Sequence, residues 1–283
     1  MNFLTWGRNP WGQQILTHIS WDLLWASLFA GIMFLVAHAS YMVLSAHRSR
    51  SKAETDALEA ANKDLPERVP RHSFMARMFH WVMAASMFVL LLTAFLPIAG
   101  FKFAWVQWHW IAGLVLTGSI IYHIIHATFW LDFWSIWIGP KDIPEFKAEM
   151  MRELGHEDVP GPRPGKYPLG NRLYHLAIVL VGFGATITGI LMMQRVRTPV
   201  FERNPYGTFS DTAWGWTYIA HGFAGVALVG LVIAHIYFAV RPDKWWITEG
   251  MIFGTIRRRK YLEHHDVTRW NVRGKAQSSA SRT

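Results

Sequence analysis

The chain has 283 residues, of which 52% are hydrophobic and 17% charged, with 16 Trp and a formal net charge of +9. Soluble domains carry roughly 25% charged residues, so this composition argues for a membrane protein. There is no cysteine, which excludes thiolate-ligated iron–sulfur clusters, disulfides and covalently attached c-type haem within the chain.

Residues 1–20 hold Phe3, Trp6 and Trp11, side chains suited to a membrane–water interface. Five apolar runs follow, at roughly 21–46, 78–97, 107–135, 172–194 and 214–240. Each approaches the ~20 residues a helix needs to cross a bilayer and is too long for a strand. Only helices and closed barrels satisfy the backbone in lipid, so the expected fold is an all-α membrane protein. The first run lacks the basic n-region of a cleaved signal peptide, since Arg8 is the sole cation before it. The stretch 51–71 reads as a short surface helix ending at two prolines, a linker to the rest. Residues 140–170 read as an amphipathic interfacial helix, then the turn-rich "PGPRPGKYPLG". The polar tail 271–283 is expected to be disordered. No Walker A or GxGxxG motif occurs.

Lys and Arg set the expected orientation. The loop 47–77 has seven, 136–171 has five and 241–283 has ten, against one before the first helix, one at 98–106 and three at 195–213. The basic loops and the C-terminus are therefore expected in the cytoplasm and the N-terminus outside. The positive charge then also draws the chain to anionic lipid heads. "RRRK" at 257–260 sits beside the membrane, which argues against nucleic acid as a partner.

Histidines carry the chemistry. The third run opens "HWIAGLVL" at His109 and the fifth contains "HGFAGVAL" at His221, both His-x-x-Ala-Gly-x-x-Leu. Each is followed fourteen residues on by a second histidine, His123 and His235. Fourteen residues advance a helix about 21 Å and return close to the starting face, so each pair lies on one face near opposite sides of the bilayer. Ionisable residues inside a membrane are costly and usually functional, and neutral imidazole is a haem axial ligand. Gly113 and Gly225 would make room for a flat porphyrin one turn from His109 and His221. Two such helices facing each other fit two b-type haems. Spacing leaves the second pair open: His80, in "RMFHW", and His123 are both able to partner His235. His18 and His38 are weaker candidates.

The segments "RMFHW" at 77–81, "HWIAG" at 109–113, "GKYPLGNRL" at 165–173, "HGFAG" at 221–225, "IAHIYFA" at 233–239 and "GMIFGTIRRRKYLEHHDVTRW" at 250–270 resemble the cytochrome b (gamma) subunit of membrane-bound respiratory formate dehydrogenases. Hydrogenase and thiosulfate reductase subunits are relatives of that family. The resemblance spans about 75–270. It implies a four-helix dihaem cytochrome b bundle over 77–245. Outside the bundle lie an extra transmembrane helix with an interfacial segment (1–47), a cytoplasmic linker (48–76) and a cytoplasmic C-terminal segment (246–283). It further implies an outer haem on His109 and His221 and an inner haem on His80 and His235. His123, His126 and His175 become packing or hydrogen-bonding residues. A quinone site, menaquinone or ubiquinone, is implied beside the inner haem, with Gly170, Asn171 and His235 contributing. Pro168 and Asn171 depart there from the expected Asn and Gln, and proline has no side-chain donor. The implied partners are a periplasmic iron–sulfur subunit and a molybdenum or tungsten catalytic subunit, the quinone pool and membrane lipid. The extra first helix offers a surface to such a partner. The expected role is electron transfer to quinone in the inner membrane, with no formate chemistry in this chain. The rivals are the same role for a hydrogenase or sulfur-compound oxidoreductase, and a haem-free membrane anchor.

Overall fold

The computed structural model describes residues 3–44, 52–153, 163–199, 202–204 and 209–272. The expected disordered tail falls mostly outside them. Five helices are long and apolar enough to cross a membrane: α1 (Asp22–Leu44), α3 (Phe74–Phe95), α4 (Trp105–Trp130), α6 (Leu169–Met192) and α7 (Asp211–Val240). Each lies within a few residues of the run expected for it. The third ends at Trp130 rather than 135, because Asp132 opens a short 3₁₀ turn over Phe133–Ile136. About half of the large apolar side chains on these helices are exposed, as side chains solvated by lipid should be.

The chain divides into two compact units. The first comprises Met1–Leu35, Phe79–Ile125 and Ala177–His235. Its N-terminal segment is a β-hairpin, β1 (Leu4–Arg8) with β2 (Gln14–Ile19), antiparallel. Leu16 and Ile19 are both buried although three residues apart, because the pairing slips by one residue at Thr17, a β-bulge. Gly12 takes the left-handed turn at φ 80°. The hairpin docks on α7 through small residues. A Cβ on Gly215 would stand 2.8 Å from the Leu16 carbonyl oxygen, and one on Gly222 3.0 Å from Ile19. The side-chain amide of Asn9 donates to Asp211. The upper part of α1 packs on the same helix, where Ser27 donates to the Val226 carbonyl and Ile233 fills the space over Gly31. Close approach at small residues is how membrane helices pack.

The second unit comprises Val36–Met78, His126–Leu176 and Ile236–Thr283. Here the stretch read as a linker is part of a core. After α2 (Lys52–Ala61), β3 (Arg68–Pro70) pairs antiparallel with β4 (Thr255–Arg257), which lies between α8 (Trp245–Phe253) and α9 (Arg258–His264). Leu65 and Val69 bury themselves with Trp246, Ile256, Tyr261, Leu262, Trp270 and Val272. Gly254 closes α8 at φ 82°, where a Cβ would also strike the His72 carbonyl at 2.8 Å. The buried Arg71 guanidinium lies over the rings of Trp246 (5.3 Å) and Trp270 (5.5 Å) and donates from Nη1 to His265 Nε2 at 3.1 Å. His265 in turn donates from Nδ1 to the Gly165 carbonyl at 2.6 Å. Burial, then the Arg71 charge, pushes His265 down to about 3, so it stays neutral and can accept from Arg71. Burial likewise lowers Arg71 to about 10.

The amphipathic helix expected in 140–170 is α5 (Ile143–Glu153). Ile143, Phe146 and Met150 form an exposed apolar stripe, while Glu145 and Ala148 are buried. Its acidic face grips the start of α6. Glu149 accepts from the backbone N–H of Leu169 at 2.7 Å and of Gly170 at 3.3 Å, meeting the donors a helix start leaves open. Glu145 bridges Arg172 (3.2 Å) and Arg269 (2.7 Å), and Asp142 pairs with Arg172 at 2.9 Å.

Candidate functional site

Three helices, α3, α4 and α7, together present four imidazoles in the first unit. His109 near the start of α4 faces His221 on α7, with ring centroids 6.2 Å apart. His80 near the start of α3 faces His235 near the end of α7, also at 6.2 Å. His221 and His235 are separated by about 21 Å of helix. His123 belongs to neither pair: its ring stacks on Phe79 at 4.2 Å. Of the two alternatives that spacing left open for His235, the ring contact seen is with His80.

The separation tests whether a haem iron fits. A metal–imidazole nitrogen bond is about 2.0–2.1 Å, so two imidazoles on opposite faces of one iron have ring centroids about 6 to 6.5 Å apart. A direct N–H···N bond would draw them to about 5 Å. Both pairs match the first value. Among the described residues no group of three or more His, Asp or Glu has metal-site spacing. An iron held by one such pair would need its remaining ligands from a macrocycle. Space for one exists on the ligand helices: a Cβ on Gly113 would meet only Leu90 at 3.9 Å, on Gly225 only Phe95 at 3.6 Å, and on Gly118 nothing within 4 Å.

What orients the first pair was not foreseen from the sequence. His109 Nδ1 lies 2.9 Å from Thr93 Oγ1 on α3. His221 Nδ1 lies 2.9 Å from Thr188 Oγ1 and 3.1 Å from the Ala185 carbonyl, both on α6. A carbonyl only accepts, so His221 carries its proton on Nδ1. Each threonine gives its own proton to a carbonyl one turn back, Val89 at 2.7 Å and Gly184 at 2.6 Å, which leaves its oxygen to accept. Both rings therefore keep Nε2 free as a ligand, the arrangement by which outer partners fix ligating histidines. Gly189 completes the wall, since a Cβ there would lie 3.3 Å from His221 Cε1. Thr93 and Thr188 look no different in sequence from Thr117, whose hydroxyl bonds only its own helix at Gly113.

The remaining histidines are placed elsewhere. His126 stacks on Trp130, His175 meets Trp137 edge-on, and His38 bonds the Tyr237 hydroxyl at 2.8 Å. His18 bonds the Ile19 carbonyl and stacks on Trp21. Of the proposed quinone residues, Gly170 and Asn171 sit in the first turn of α6, where Gly170 is held by Glu149. Neither lines the nearby polar cavity of about 220 Å³, which is bounded by Trp130, Asp132, Lys166, Tyr167, Arg172 and Arg269 among others. Burial raises the Tyr167 hydroxyl above its ordinary range, with Arg71 opposing.

Helices long and apolar enough to cross a membrane and carrying facing histidines are what a membrane cytochrome of the b type requires. The sequence profile of prokaryotic cytochrome b561 matches residues 71–254, and the chain belongs to that family. It is a multi-pass bacterial membrane protein that binds b-type haem and transfers electrons. No curated protein matches it significantly. The family match is broader than the formate dehydrogenase gamma subunit, which it does not single out.

Proposed function

We propose that the chain is the dihaem electron-carrying subunit of a respiratory complex. One haem would be held by His109 and His221 and the other by His80 and His235. The observation that carries this reading is the equal 6.2 Å separation of the two pairs, which suits one iron in each. When bound, the haems supply one-electron redox chemistry. The chain's residues do the rest. The four imidazoles hold the irons, Thr93 and Thr188 fix two of the rings, and the apolar helices keep water from the electron route. Gly113 and Gly225 leave room for the macrocycles.

A periplasmic iron–sulfur partner would deliver electrons on the His109–His221 side, and its own molybdenum- or tungsten-bearing subunit would oxidise formate. Quinone at the cytoplasmic side would take two electrons, one at a time, and two protons from that side, giving quinol. The basic loops support this orientation. Moving each electron inward involves about 2.3 kcal/mol per 100 mV of membrane potential, so oxidation outside and reduction inside conserve energy. Gly170, Asn171 and His235 are the proposed quinone contacts. A hydrogenase or sulfur-compound partner would leave the chain's own role unchanged. Membership in a haem-binding family weighs against the haem-free anchor.

The test is purification of the chain with its native partners. Two b-type haems per chain, a formate-oxidising partner and quinone reduction are expected. One haem or none would overturn the dihaem assignment, and a hydrogenase partner would redirect the substrate.

A further inference from the structure

The two histidine pairs match in spacing but differ in what stands behind the rings. At His109–His221 both Nδ1–H groups have acceptors, Thr93 Oγ1 and Thr188 Oγ1 at 2.9 Å each, with the Ala185 carbonyl at 3.1 Å in addition. Each hydroxyl already donates to a carbonyl of its own helix, and a donating hydroxyl is polarised into a stronger acceptor. At the other pair, His80 Nδ1 is buried and has no hydrogen-bond partner among the described residues.

This asymmetry has a redox consequence. A hydrogen bond from the far N–H of a ligating imidazole raises its basicity. A more basic ligand favours the oxidised, more positive iron, and hydrogen bonding around the ligands is one of the protein's means of setting a haem potential. We propose that Thr93 and Thr188 are positioning residues that make the His109–His221 site the lower-potential one. Electrons then run downhill from it towards His80–His235. The direction of transfer, towards quinone reduction, is thereby written into two hydroxyl groups. The inference rests on the dihaem reading.

The test is potentiometric titration of the purified chain, with haems counted separately. Two haems per chain are required first, and any other count defeats the dihaem reading rather than this one. Thr93→Val and Thr188→Val keep the shape and remove the acceptor. In each, the lower of the two midpoint potentials should rise, by up to about a tenfold change in the reduced-to-oxidised ratio at fixed electrode potential. The higher one should stay in place. Thr93→Ser and Thr188→Ser keep the hydroxyl and should retain both wild-type values. The proposal is overturned if neither potential moves, if both move together, or if the higher one moves instead. Loss of haem from a Val variant also overturns it, because the hydroxyl would then serve assembly rather than potential.

Discussion

Gly189 offers a direct probe of how closely the protein must fit its ligand ring. A methyl group added there would lie 3.3 Å from His221 Cε1 and 3.8 Å from Nδ1, whereas carbon atoms prefer about 3.5–4.0 Å. The ring would have to retreat by a few tenths of an ångström. It is tethered through Nδ1 to Thr188 at 2.9 Å and Ala185 at 3.1 Å, both on the helix that carries Gly189, so retreat stretches those bonds. Inserting a methyl into such a contact costs about 1–3 kcal/mol. If the penalty falls on the liganded geometry, haem binding weakens by roughly 5- to 150-fold. Gly189→Ala should therefore lower haem content per chain under detergent washing and disturb the spectrum of one haem, leaving the other unchanged. Gly189→Val should be worse. Haem content by alkaline pyridine assay and the reduced-minus-oxidised spectrum read this out. Full retention of both haems with wild-type spectra in both variants would refute the idea that His221 is held at a fixed distance by α6.

Two further predictions concern the second unit. Glu145→Gln removes a buried carboxylate that pairs with Arg172 and Arg269. Arg172 keeps Asp142 and Arg269 is partly exposed, so the cost falls below the about 3–5 kcal/mol of a fully stranded buried charge. The variant's thermal midpoint should drop clearly, and more than that of Asp142→Asn, whose carboxylate is less deeply buried. Burial first, then neighbouring cations, hold His264 and His265 down to about 3, against an ordinary value near 6.5. Between those values the unfolded segment binds more protons than the folded one, so stability should fall as pH drops below about 6.5. Limited proteolysis of the C-terminal segment at pH 7 and pH 5 checks this, and His265→Gln should flatten the dependence.

The apolar runs were legible because membrane helices announce themselves by length and composition, and their histidines by repeated spacing. The β-hairpin was not, because Trp6, Trp11 and Phe3 read equally well as interfacial aromatics and strands of five and six residues carry little signal. The linker misled for a different reason. Val69 becomes core only through Ile256, 187 residues away, and no local pattern reports such a pairing. Spacing alone made His109 and His123 look like equals, since both recur on α7's pattern. Packing separates them: His109 finds His221, while His123 finds Phe79. Thr93 and Thr188 stayed invisible because lone hydroxyls in apolar helices usually bond their own backbone, as Thr117 does.

The ligand assignment is tested most directly by counting haems in two variants of the purified chain. The wild type should hold two b-type haems, His80→Ala one, and His123→Ala two. A His123→Ala protein that loses a haem, beside a His80→Ala protein that keeps both, would contradict the account and return the inner iron to His123 and His235.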